Sequence, residues 1–116
     1  MSHVYALRAS ARAFDYVLDI RGITDPTVEI GIPGGAALIA FVDAVMGVSQ
    51  EDPDAARDRV IDELDGESLF DAATVYGNFS MMNRVAEATG IPISRQVIDR
   101  ERAIIDVLGL ERLIKA

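Results

Sequence analysis

The run Glu67–Pro92, ESLFDAATVYGNFSMMNRVAEATGIP, restricts the fold of this chain more than any other stretch. It reads as one long helix with signals at both ends. Ser68 followed by Asp71 resembles a capping box: the hydroxyl can accept from an orphan backbone N–H, and the acid sits near the positive helix end. Gly90 suits the left-handed position after the last turn, Ile91 can fold back on that turn, and Pro92 forbids continuation. Between these signals Leu69, Phe70, Val75, Tyr76, Phe79, Met82 and Val85 cover more than one face. A helix apolar over so much of its circumference belongs in the middle of a bundle.

The remaining segments supply neighbours for it. Residues 2–20 show an amphipathic pattern, with Val4, Leu7, Ala11, Phe14 and Leu18 stepping by three and four and Gly22 as the stop. Residues 23–32 alternate at Val28, Ile30 and Ile32 but offer no partner strand, so they read as an ordered loop. A second helix opens at Pro33 or Gly34 and runs to about Met46, with Ala36, Ala37, Ala40 and Ala44 small enough for close helix approach. The third starts with Asp52 as cap and Pro53 at the first helical position, keeps a narrow apolar stripe at Ala56, Val60 and Leu64, and ends at Gly66. Ser94 caps a further helix from about Arg95 to Leu108, along which Asp99–Glu101 read as solvated; Gly109 breaks it. A last turn comes after it, with Leu113 as its anchor. The expectation is a single all-helical domain over residues 1–116, a five- to six-helix bundle with a central buried helix.

Composition narrows the chemistry. The chain has 116 residues, half of them hydrophobic, and 19 acids against 11 lysines and arginines give a formal charge of −8. That balance argues against nucleic acid and anionic membrane surfaces as partners. Without cysteine, disulfides, thiolate metal sites and thiol nucleophiles are all excluded. His3 alone cannot assemble a histidine metal cluster, so neither a metal nor a cofactor is expected. The apolar run Ile30–Val48 approaches a bilayer span, but Pro33-Gly34-Gly35 divides it and leaves too few helical residues to cross. Arg8 and Arg12 interrupt the N-terminal apolar residues and no cleavage signal is visible after them, which points to a cytoplasmic protein.

No phosphate loop, dinucleotide fingerprint or EF-hand is present. Gly31-Ile32-Pro33-Gly34-Gly35 is glycine-rich at a helix start, which suits a sharp turn and close backbone approach. Four polar features stand out on apolar helices. Asp43 is either a helix-face acid at a bundle edge or oligomer contact, or a pocket carboxylate. Arg84 either pairs with an acid across the bundle or grips a ligand carboxylate bidentately. Asn78 and Asn83 either satisfy backbone groups or line the same pocket. Tyr76, near Asn83 by helical spacing, is a core residue with a satisfied hydroxyl or a ligand contact.

The stretch from Ala36 to Ile93 resembles the later helices of the alkylhydroperoxidase D-like and carboxymuconolactone decarboxylase family. The similarity rests on AALIAFVDAVMG with Asp43 as its acid, then a charged helix, then Asn78, Asn83-Arg84 and the closing Gly90-Ile91-Pro92. Leu7–Ala13, LRASARA, is similar to the segment after the family's active-site motif. The resemblance implies an alkylhydroperoxidase D-like bundle and a homo-oligomer. It also implies chemistry at a Cys-x-x-Cys pair or a single cysteine, assisted by Glu and His, at or before Ser2–Tyr5. This chain has no such cysteine, so thiol peroxidase chemistry is excluded. Three functions remain. The first is a non-redox, oligomeric small-ligand-binding or accessory protein. The second is an enzyme on a small organic acid, with Arg84 anchoring the carboxylate and Asp43 as acid or base. The third is a helical partner subunit of a larger complex.

Overall fold

The computed structural model describes residues 2–114, without the side chains of Ser2 and Leu113, so the anchor expected at Leu113 lies outside the described residues. It is all-helical. The helices are α1 (Ser2–Ala13), α2 (Gly35–Val45), α3 (Pro53–Glu63), α4 (Gly66–Thr89), α5 (Arg95–Arg100) and α6 (Arg102–Leu108), with 3-10 turns at Ile20–Ile23 and Glu111–Leu113. No strand occurs among the described residues, and no helix there is long and apolar enough to cross a membrane. The chain divides into two compact units, one formed by residues 33–91 and the other by residues 1–32 with 92–116.

In the unit 33–91, α2 and α3 pack as a hairpin. Ala37, Phe41 and Ala44 meet Ala56 and Val60, all of them buried, with Leu38, Val45, Leu64, Leu69 and Ala72 around them. The alanines let the two backbones approach, and Phe41 fills the space they leave. The start of α3 is as its sequence implies: Asp52 accepts from Asp54 N–H and Pro53 opens the helix. Its end is not. Leu64 closes α3, and Gly66 begins α4 rather than ending α3. The cap of α4 is therefore Asp65, whose Oδ1 accepts from Ser68 N–H at 2.6 Å, and not Ser68. That hydrogen bond holds the Asp65 carboxyl below the usual carboxylate range. From the N-cap position, three residues before Ser68, a carboxylate reaches one of the free N–H groups of the first turn better than a hydroxyl already inside the helix can.

Helix α4 closes at Gly90 as its signals require. Gly90 is left-handed at φ 66°, and Ile91 N–H returns to Ala86 O at 3.1 Å. The expected central burial is not found within the single chain. No α4 residue is buried, and Phe70, Val75, Met81, Met82 and Val85 are each more than half exposed. Length is the physical reason. At 24 residues α4 is about 36 Å long, while α2 and α3, with 11 residues each, are about 16 Å. The hairpin can cover only the opening turns of α4, where Leu69 and Ala72 reach it.

In the other unit Ala11, Ile20, Ile30, Ile104, Ile105 and Leu108 form the buried set. Helix α1 stops at Ala13, well before Gly22, because Asp15 adopts a left-handed φ of 58° and Tyr16 N–H closes on Ala11 O at 2.8 Å. Phe14, expected on the apolar stripe, is consequently 69% exposed and stacks on Tyr16 with ring centroids 6.4 Å apart. Gly31, left-handed at φ 87°, lies so close to Val17 O that no Cβ fits, and Asp19 N–H donates to Ile30 O at 2.9 Å. The glycine-rich stretch thus serves close packing. Ser94 caps α5 through Val97 N–H, and Gly109 ends α6. The helix expected over 95–108 breaks at Glu101, however, and Glu101 is buried rather than solvated.

Candidate functional site

A groove of about 620 Å³ lies within the unit 33–91. Its geometry comes from the length mismatch between α4 and the hairpin: α4 continues past its neighbours, and α2 leaves a flank uncovered. Leu38 and Val42 of α2 and Met46, which caps it, form one wall, at the spacing of four that puts them on one helix face. Ala72, Val75, Tyr76 and Phe79 of α4 form the other, and Leu64 closes the end. Polar groups are confined to α4, where Ser68, Asp71, Ser80 and Asn83 complete the lining. Walls of this kind exclude water from an apolar ligand body, while a few side-chain donors and acceptors orient its head.

Tyr76 and Asn83, two of the residues singled out from the sequence, therefore share this groove; Asn78 and Arg84 do not. With each α4 residue turned about 100° from the last, Arg84 projects from the side of the helix away from Val75 and Phe79. Arg84 is exposed and makes no ion pair among the described residues. Asn78 instead reaches along its own helix, its Nδ2 lying 3.7 Å from Met82 Sδ.

Asp43 does not line the groove either. It is half-buried, and its backbone carbonyl accepts from Val48 N–H at 2.9 Å and Ser49 N–H at 3.3 Å, securing the turn after α2. Asp43 and Arg84 are thus not gathered into one acid–base pair around the cavity, and no cationic side chain lines it. Among the described residues no group of three or more His, Asp or Glu is arranged to hold a metal ion.

Sequence reasoning missed most of the wall. Leu38 and Val42 are legible as bulk on α2 and Met46 as its approximate end, but nothing local distinguishes an apolar residue that meets a core from one that faces a groove. Ser68 with Asp71 and Ser80 with Asn83 are each three residues apart, but Asp71 and Ser80 lie nine apart, half a turn of the helical wheel, so no single polar face was legible in α4. Comparison with known proteins adds no relative to this geometry: no protein-family model, curated protein or solved structure matches the chain.

Proposed function

We propose that this chain is a non-redox helical binding protein that takes a small, mainly apolar molecule between α2 and α4. The observation that carries this reading is the groove itself: two apolar walls, no cation, and polar groups restricted to one side. Asp71 at its edge disfavours an anionic head, so the ligand class is a neutral or cationic amphiphile and not the small carboxylate that Arg84 would have gripped. Kinship with the alkylhydroperoxidase D-like family is part of the same proposal. It is supported by the order of an alanine-rich helix, a charged helix and a long helix closed by Gly90-Ile91-Pro92. In that reading the chain keeps the bundle as a ligand-binding or accessory oligomer and has lost the thiol chemistry.

Nile red fluorescence tests this directly. Binding should be displaced by octanol or octylamine and much less by octanoate. Val75→Trp, which fills the groove from a position already exposed, should weaken binding at least about tenfold. Equal displacement by octanoate, or unchanged binding in Val75→Trp, overturns the assignment.

A further inference from the structure

The polar groups of the groove stand at its two ends and not along one edge. Ser68 and Asp71 follow Leu64, which closes one end, by four and seven residues. Ser80 and Asn83 each lie twelve residues further along α4 than Ser68 and Asp71. At 1.5 Å per residue the two pairs are separated by about 18 Å along the helix axis. Between them α4 lines the groove with Ala72, Val75, Tyr76 and Phe79. On the helical wheel Val75 and Phe79 fall between Asp71 on one side and Ser80 on the other. The groove therefore crosses α4 obliquely, and each polar pair edges a different end.

Taking the groove as a ligand site, as proposed above, we infer that its ligand is two-headed. It is a linear molecule with an ammonium group at the Ser68–Asp71 end, a hydroxyl or other uncharged hydrogen-bonding group at the Ser80–Asn83 end, and an unbranched apolar middle. Charge distinguishes the ends. Asp65, Glu67 and Asp71 make the first acidic, whereas Arg84 and Glu87 cancel around the second. Among the described residues Asp71 is the one charged side chain lining the groove. The unit 33–91 carries eleven acids against three arginines, a field that attracts a cation and repels an anion. At the other end Asn83 offers an oxygen and an amide nitrogen and Ser80 a hydroxyl, so a neutral group finds both donor and acceptor there.

Length narrows the class. An extended chain advances about 1.2 Å per bond, so the thirteen bonds between the heteroatoms of ω-aminododecanol cover about 16 Å. That brings both heads within hydrogen-bond reach of their pairs; a chain half as long meets one end only. A terminal hydroxyl also gives a test of sign. It makes an alkylamine better hydrated, so an apolar far end would bind the amino alcohol more weakly than the plain amine. A far end that hydrogen-bonds the hydroxyl reverses that order, because the plain amine leaves Ser80 and Asn83 without a partner.

Displacement of Nile red from the full chain should therefore rank ω-aminododecanol at least about tenfold above dodecylamine. For ω-aminohexanol and hexylamine the order should be the opposite, since neither reaches both ends. Asn83→Leu should place dodecylamine first, and Asp71→Asn should cut the preference for ω-aminododecanol over dodecanediol at least about fivefold. Asp71 and Asn83 are both exposed, so neither change strips a core contact. Dodecylamine binding as tightly as ω-aminododecanol, or unaltered preferences in either variant, overturns the two-headed ligand and leaves the ligand-binding reading standing. Nile red binding that is indifferent to Val75→Trp removes that reading, and the two-headed ligand with it.

Discussion

The side chain of Leu64 closes over the bare Cα of Gly34: a Cβ built on Gly34 would stand 2.5 Å from Leu64 Cδ1 and 2.6 Å from its Cγ. Gly34 is also left-handed at φ 65° and precedes the first turn of α2. One contact thus couples the entry of α2 to the exit of α3, and Leu64 carries the same side chain on into the end of the groove. Gly34→Ala should destabilise by about 1–3 kcal/mol through overpacking and backbone strain. Leu64→Ala in the same chain should remove the steric part, so urea denaturation of the two single variants and the double should give non-additive losses.

Acid should weaken the fold, with the sign set by three depressed carboxyls. Asp65 is held down mainly by Ser68 N–H, Asp19 by the Arg21 side chain, and Asp25 by the Thr27 hydroxyl. Below the ordinary value of 3.8 the unfolded chain takes up protons that the folded one resists. The stability these groups contribute is therefore complete above that value and is lost as pH falls through the lower folded values. Thermal midpoints should be flat near pH 5 and fall toward about pH 2.5. Asp65→Asn, which can still cap α4, should make that fall shallower.

Among the described residues, Glu101 is the buried acidic side chain of the unit formed by residues 1–32 and 92–116. Its Oε1 accepts from Arg100 Nε at 2.8 Å, while Oε2 is buried with no hydrogen-bond partner. An unsatisfied buried oxygen costs about 1–3 kcal/mol. Glu101→Leu should therefore raise the urea midpoint, and Arg100→Ala, which strips the remaining partner, should lower it. A neutral result for both would show that Oε2 is solvated in solution.

Asp15 ends α1 in a conformation that suits glycine. Its φ is 58°, and Tyr16 N–H closes on Ala11 O behind it. Asp15→Gly should stabilise by roughly 0.5–1 kcal/mol, and Asp15→Ala should destabilise by a similar amount. Thermal denaturation followed by far-ultraviolet circular dichroism reads both. Equal midpoints in the three proteins would mean that α1 ends elsewhere.

The helix starts and stops that were legible in the sequence are those whose two partners lie within a few residues. Asp52 with Asp54, Ser94 with Val97, Gly90 with Ala86 and Gly109 after Leu108 each complete a hydrogen bond or turn inside one helical end. Where two local solutions compete, composition does not arbitrate: Asp65 and Ser68 both cap well, and the stronger acceptor took the position. Asp15 hid the end of α1 because a left-handed aspartate looks like any other exposed acid. Tyr76 and Asn83 were identifiable as groove candidates from helical spacing, whereas Arg84, adjacent to Asn83, turns to the other side of the same helix.

What the residues determined alone is an all-helical chain with its caps, its alanine-lined α2–α3 contact and its exclusion of thiol chemistry. Those come from propensities and hydrogen bonds that close locally, and from an absence no folding can reverse. Tertiary structure decided which apolar residues are covered. Glu101 went inside and Phe14 stayed out because burial depends on the residues that arrive from elsewhere in the chain. The long α4 was left open for the same reason: its neighbours span less than half its length, and an apolar surface in sequence states only a demand for cover, not who meets it.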